Sequence, residues 1–108
     1  MNYQRLLEYK FFIDALPDII LIIKDGKIIL ANKKAEEVQT ALIGADISDF
    51  IKSSFERAQY RLSLLSEETK VVGPTDYEVT LKSGEKRQFE MISTYFTIDG
   101  MPATLTTA

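Results

Sequence analysis

The chain has 108 residues, 45% apolar and 27% charged, a balance ordinary for one globular domain with one modest core that buries about 65% of its unfolded surface. A net charge of -3 lacks the basic footprint of a general nucleic-acid binder, and no apolar run approaches the roughly 20 residues that cross a bilayer. With neither cysteine nor histidine, disulfides, thiolate nucleophiles, cysteinyl cofactor adducts, imidazole bases, histidine-ligated haem and the usual zinc sets are all closed off.

Residues 2–10 intersperse Gln4, Arg5, Glu8 and Lys10 where a secretory signal would begin its apolar region, so the cytoplasm is the expected compartment. Residues 2–13 (NYQRLLEYKFFI) contain good helix formers, with Leu6, Tyr9, Ile13 and Leu16 in a heptad-like stripe. Leu7, Phe11 and Phe12 form a second apolar set beside it, more surface than a single packing contact consumes. The helix can lie on its own domain, meet the same helix of a second chain, or do both. Pro17 ends it, because Leu16 before a proline is pushed out of the α region.

Residues 19–24 and 27–31 read as a hairpin around Asp25-Gly26, a pair that supplies the positive φ values of a type I′ turn. Every position from Ile19 to Ile23 is apolar, so both faces of that strand need cover and it belongs in the middle of a sheet. Asn32 is a natural N-cap for the helix that follows, able to accept from the amide of Lys34 or Ala35. Ala35, Val38 and Leu42 form its apolar face, while Glu36 and Glu37 suit its positive end.

Gly44 breaks the chain, and residues 46–50 (DISDF) read as a short helical turn. Ser48, Ser53 or Ser54 would cap the next helix, expected to run to about residue 65 with Ile51, Phe55, Ala58, Leu62 and Leu65 on a core-facing side. Tyr60 and Leu64 fall on the far side among Arg57 and Arg61. Residues 67–75 are polar and contain Gly73-Pro74, a loop signal.

The period then switches to two. Tyr77, Val79 and Leu81 alternate with polar residues, the pattern of a strand with one dry face, and Ser83-Gly84 turns it. Residues 86–98 form a long strand with Phe89, Met91 and Tyr95 on one side and Ile92, Phe96 and Ile98 on the other. Asp99-Gly100 turns again, and residues 101–107 close the chain as a threonine-rich strand. Pro102 belongs at its beginning, where a missing ladder donor is tolerated. The one-faced strand suits an edge and the two-faced first strand a centre, so the five strands take the order 2-1-5-4-3 in an α+β fold.

The segment LPDIILIIKDGKIILANKKAEEV, then Gly44 with DISDFI, then YEVTLKSGEKRQFEMIS with Glu90 between apolar residues, resembles in order and spacing the PAS family of sensory domains. The likeness covers about residues 14–107. It implies a five-stranded antiparallel sheet with helices cupped over one face, often around a small pocket, and an N-terminal helix on the other. Residues 1–15 are then an N-terminal capping and dimerisation helix, and residues 16–108 the sensor domain. It also implies a larger signalling protein, commonly a histidine kinase, cyclic-dinucleotide enzyme or transcriptional regulator, that supplies an output domain. The family's D-I-T continuation is not reached at Thr106-Thr107-Ala108, which marks the chain as an excised sensor domain. Light-sensing members with a flavin-adduct cysteine, members with a thioester-linked chromophore and histidine-ligated haem binders are all excluded by composition. No residue pattern marks a noncovalent flavin, and the cofactor is unknown.

A pocket would lie between the sheet and the helix face of Phe55 and Leu62, lined by Phe50, Tyr77, Phe89, Met91 and Tyr95, a setting for a small, mostly apolar ligand. The same residues can equally fill a close-packed core. Asn32 is read as a cap and Glu90 as a solvated strand residue. Signal transfer is expected through the N-terminal helix, lying on the outer face of the strands containing Ile19, Ile23, Ile92 and Phe96, with Leu6, Tyr9, Ile13, Ile92 and Phe96 forming a homodimer interface. The alternative is a ligand-free dimerisation or scaffold module. Asp46, Asp49 and Glu90 show no pairing by spacing that would make an acid–base site, so the domain is read as non-enzymatic.

Overall fold

Apolar periodicity and turn chemistry divide the chain as follows; the computed structural model describes residues 3–108, the side chains of Tyr3 and Ser53 excepted. Helix α1 (Tyr3–Asp14) precedes the hairpin of β1 (Ile20–Lys24) and β2 (Lys27–Ala31). Next come the short α2 (Lys33–Val38), two 3₁₀ turns (Ile47–Asp49 and Lys52–Ser54) and α3 (Phe55–Ser63). The meander β3 (Val71–Thr80), β4 (Lys86–Ile98) and β5 (Met101–Thr107) ends the chain. The expected helix start at Asn2 and a cap by the Ser53 side chain lie outside the described residues.

The strands form one antiparallel sheet in the order β2-β1-β5-β4-β3, the order that edge and centre patterning requires. Asp25 and Gly26, with φ of 52° and 78°, make the left-handed pair of a type I′ turn. Pro102 stands opposite Thr97 on β4, while pairing of β5 with β1 extends only as far as Thr104, so the missing donor removes no ladder bond on that side.

Two bulges adjust the sheet. Ile22 pairs with Leu30 and Ile23 with Ile28, which leaves Ile29 as an extra residue and directs Ile28 and Leu30 to opposite faces. In β3, Val72 opposes Ser93 and Thr75 opposes Met91, so Gly73 and Pro74 together face Ile92. The Gly73-Pro74 pair, expected in a loop, therefore sits inside a strand that starts at Val71. It interrupts the ladder as its chemistry demands, and a bulge absorbs the interruption.

The sheet separates two cores. On one face α2, the 3₁₀ turns and α3 cover Ile23, Ile28, Ala31, Tyr77, Val79 and Leu81, joined by Ala35, Leu42, Phe50, Ile51 and Ala58. On the other, Ile13 with Leu6 and Tyr9 of α1 covers Ile20, Ile22, Leu30, Ile98 and Ala103. Ile22, Ile28 and Ile98 lose essentially all contact with water, worth about 2 kcal/mol each. Strand β1 thus serves both cores by strict alternation. That parity corrects the expectation that α1 would rest over Ile19 and Ile23: both face the α2 side, and Ile20 and Ile22 meet α1.

Helix ends differ modestly from expectation. Ala41 adopts a positive φ of 55° beyond the end of α2, so Leu42 reaches the core from a loop and not from the helix face. Helix α3 stops at Ser63, with Leu64 and Leu65 held by single-turn bonds to Arg61 and Leu62. Ser54 occupies its N-cap position without a side-chain bond, and the Ser48 hydroxyl instead donates to Asp46 (2.9 Å). Asp46 caps the first 3₁₀ turn through the Ser48 amide, and that bond, the Ser48 hydroxyl and the charge of Lys27 together hold its carboxyl below the usual range against a smaller opposing effect of burial.

Both sheet edges are occupied in part. Along β2 the segment after α2 runs alongside, with Ile28 N donating to Ala45 O (2.9 Å) and Ile47 N to Gly26 O (2.9 Å). Along β3, Arg57 donates to Asp76 O (2.7 Å) and Thr80 N donates to Phe50 O (2.8 Å).

Gly73 and Gly26 provide a matched test of the bulge. Both have positive φ, 116° and 78°, but a Cβ on Gly73 would stand 2.6 Å from the Met91 carbonyl oxygen, whereas one on Gly26 meets nothing within 4 Å. Gly26→Ala is expected to lower unfolding free energy by about 1 kcal/mol and Gly73→Ala by about 3 kcal/mol, measured by urea denaturation. Equal losses would show that the close approach at Gly73 is relieved without cost.

Candidate functional site

Alternation along β1, β4 and β5 brings Ile19, Leu21, Phe89, Met91, Thr106 and Ala108 to one patch of the sheet, and α2 with the following loop roofs it with Ala35, Val38, Gln39 and Leu42. Ile28, Ile47, Phe50, Ile51, Val79 and Leu81 complete the wall around a cavity of about 70 Å³. Two lining residues are polar, and both direct their polar atoms elsewhere. Gln39 Oε1 accepts from Lys82 N (2.9 Å) and its Nε2 donates to Thr40 O (3.0 Å). The Thr106 hydroxyl is bonded to the Ser93 hydroxyl at 2.9 Å. The surface facing the cavity is accordingly apolar throughout.

A second hollow, an open groove of about 340 Å³, runs under α3 beside the β1–β2 turn. Phe55, Gln59, Leu62 and Leu65 form one wall and Tyr95, Thr104 and Lys24 the other. Ile47 and Ile51 border both spaces and separate them.

Of the residues expected to line one pocket, Phe50, Phe89 and Met91 line the cavity, Phe55 and Tyr95 line the groove, and Tyr77 lines neither. The division has a simple cause. Tyr95 shares a face with Met91 but lies four residues along the strand, roughly 13 Å away. Tyr77 is buried on the edge strand, with the Arg57 guanidinium 4.9 Å from its ring centre, so its aromatic face is taken. Ile19, Leu21, Thr106 and Ala108 were not among the expected lining residues. Their placement follows from the order 2-1-5-4-3 together with the parity of β1, which sets Leu21 opposite Thr106.

On the opposite face Leu6, Tyr9 and Ile13 pack against their own sheet, Ile13 at only 3% exposure and Leu6 and Tyr9 partly buried, so much of this stripe is engaged within the chain. Phe96 joins the same cluster, partly buried, and Ile92 remains exposed. What α1 presents outward is the second apolar set: Phe11 at 85%, Phe12 at 66% and Leu7 at 49% exposure.

Asn32 does more than cap. Its Oδ1 accepts from Ala35 N and from Ile20 N, both at 3.0 Å, and its Nδ2 donates to Ile13 O (3.0 Å) and Asp18 O (2.7 Å). All four side-chain valences are used, and the residue is 0% exposed. Beside it, Lys10 Nζ donates to Ala31 O (3.0 Å), Glu36 Oε1 (3.0 Å) and Asp14 Oδ1 (3.3 Å), while Asp14 Oδ1 accepts from Lys33 N (2.7 Å). The end of α1 is thereby fastened to the start of α2. Burial, the largest single influence on Lys10, lowers its pKa, but bonds to Glu36 and Asp14 together outweigh it and leave the value raised. The stability this adds is complete below the unfolded lysine value of 10.5 and is lost as pH rises through the higher folded value.

No family model matches the sequence, and no curated protein matches it. Solved structures do resemble it. The PAS domain of an HTR-like protein from Haloarcula marismortui has a TM-score of 0.72 at 22% identity, over 96% of this chain and 93% of that one. The PAS domain of nitrogen regulation protein NR(II) from Vibrio parahaemolyticus has a TM-score of 0.69 at 16% identity, over 92% and 94%. The PAS domain of a LuxR-family transcriptional regulator from Burkholderia thailandensis, in complex with ethanol, has a TM-score of 0.71 at 15% identity, over 100% and 96%.

The Asn32 bonds set a measurable cost. Asn32→Ala strands the Ile20 amide and the Ile13 carbonyl in the interior and should lower unfolding free energy by about 3 kcal/mol, seen as a lower urea midpoint at unchanged slope. Asn32→Asp keeps both acceptor bonds but sets a carboxylate against two carbonyl oxygens, and should cost at least as much at pH 7. A loss below about 1 kcal/mol for both would mean that neighbouring groups replace the asparagine.

Proposed function

We propose that this chain, which has the PAS fold, is a sensory and regulatory module of a signalling protein that binds a small ligand against its sheet and relays the event to an output domain through α1 and the end of β5. The observation that carries this reading is the double role of α2. Ala35, Val38 and the adjoining Gln39 roof the cavity, while Asn32, Lys33 and Glu36 at the other end hold α1 by the bonds of Asn32, Asp14 and Lys10. The cavity floor includes Thr106 and Ala108, and Ala108 is tied to Ile19 by reciprocal backbone bonds of 2.9 and 3.2 Å. A ligand that lifts the roof or presses the floor therefore acts on both routes by direct contact.

The solved domains of similar fold include one from a nitrogen regulation protein and one from a transcriptional regulator, which supports a place in signal transduction and a separate output domain. The domain itself is non-catalytic in this reading, with any enzymatic activity residing in the parent protein. Among the described residues no helix is long and apolar enough to cross a membrane, and the cytoplasm is the proposed compartment.

A ligand-free dimerisation or scaffold module is the second reading, and the outward face of α1 favours it. Leu7 and Phe11 are four residues apart and share that face with Phe12 nearby, an apolar strip that a second copy could cover.

Two measurements test these readings. Filling the cavity with Ala35→Val should change amide hydrogen exchange in residues 6–14 by threefold or more, and the change should vanish when Lys10→Met is added. Unaltered exchange in α1 would remove the relay. For the second copy, Phe11→Glu should convert a dimer to a monomer in sedimentation with stability within about 0.5 kcal/mol of the parent, since the side chain touches little of its own domain. A parent chain that is monomeric at millimolar concentration would dispose of the homodimer.

A further inference from the structure

Accepting that the cavity is the sensory site, we infer that its ligand is a small, neutral molecule without hydrogen-bonding groups, the chemistry of a short hydrocarbon or an apolar gas. The polar atoms of its two polar lining residues face elsewhere. The Thr106 hydroxyl is engaged by Ser93 at 2.9 Å, and both ends of the Gln39 amide are bonded to the backbone, at 2.9 and 3.0 Å. A ligand hydroxyl, amine or carboxylate set against this lining would give up water partners there and receive none from the wall, and a charge would fare worse still. Alkyl, phenyl and thioether groups such as those of Leu21, Val79, Phe89 and Met91 offer dispersion contacts and nothing else.

Volume narrows the class further. An apolar protein cavity of about 150 Å³ stays dry and takes up benzene or xenon. At about 70 Å³ this one has nearly half that space, room for about three heavy atoms. Dinucleotides, flavins and aromatic metabolites do not fit it. The larger groove under α3 does not enlarge the choice, because Ile47 and Ile51 stand between the two spaces and Ile51 is only 4% exposed.

Propane and ethanol have equal numbers of heavy atoms and differ in the hydroxyl, so together with xenon they test the assignment. Methyl signals of Leu21, Val38, Leu42 and Val79 are followed by NMR under xenon or propane pressure and during an ethanol titration, with the methyls of Ile20, Ile22 and Ile98 on the other face as controls. Xenon and propane should shift the first set selectively, and ethanol should need at least a tenfold higher concentration to do so. Thr106→Val should leave propane binding within twofold, and Ala35→Val should abolish it. If Ala35→Val fails to fold, Val79→Ile serves the same purpose. Ethanol binding as tightly as propane, or loss of binding in Thr106→Val, would overturn the ligand class while leaving the site in place. Silence of the cavity methyls to all three probes would instead remove the cavity as a sensory site and with it the ligand-binding reading.

Discussion

The four hydrogen bonds of the buried Asn32 side chain are the constraint on which the arrangement of this domain turns. An amide side chain with no access to water must find two donors and two acceptors inside the protein, and here they come from four separate places: the end of α1, the linker at Asp18, the first residue of β1 and the first turn of α2. None of these can move independently without stranding a polar group. A residue type normally associated with one helix cap consequently fixes the relative position of both helical layers across the sheet edge. Lys10, Asp14 and Glu36 add a charged border to the same junction, nearer to solvent and correspondingly weaker.

Given that junction, the rest is a matter of supplying two cores from one thin sheet. Strand β1 alternates between them, and the bulge at Ile29 lets β2 do the same with three consecutive isoleucine and leucine positions. The α1 side is filled, with Ile98 and Ile22 almost wholly excluded from water. The α2 side is not quite filled, and the shortfall is the cavity. Its position beneath α2 is no accident of one side chain. Helix α2 is six residues long and ends in a loop that turns through Ala41, so its helical part meets the gap only through Ala35 and Val38.

Much of this was legible from residues alone. Turn chemistry at Asp25-Gly26, Ser83-Gly84 and Asp99-Gly100, together with one-faced and two-faced strands, was enough for the sheet order. Periodicity also marked the apolar surplus on α1. What escaped had local causes. Gly73-Pro74 carries the chemistry of a loop and of a bulge alike, and only the length of β4 available for pairing decides between them. Phe89, Met91 and Tyr95 share a face of β4, yet sharing a face over a strand of 13 residues does not place them in one pocket. Asn32 was recognisable as a cap, whereas its other three bonds join segments distant in sequence and leave no local signal.

The treatment of the sheet edges limits how copies of this domain can meet. A five-stranded sheet with open sides invites continuation by a strand from another molecule, the route to swapped and fibrillar assemblies. Here the loop after α2 lies along one side, and on the other Arg57 and the Phe50 carbonyl occupy Asp76 O and Thr80 N in the second half of β3. Backbone-mediated growth of the sheet is therefore obstructed along part of each edge. Association is steered toward side-chain surfaces, which recognise shape and sequence, so an assembly built on this domain can be specific in partner and limited in number.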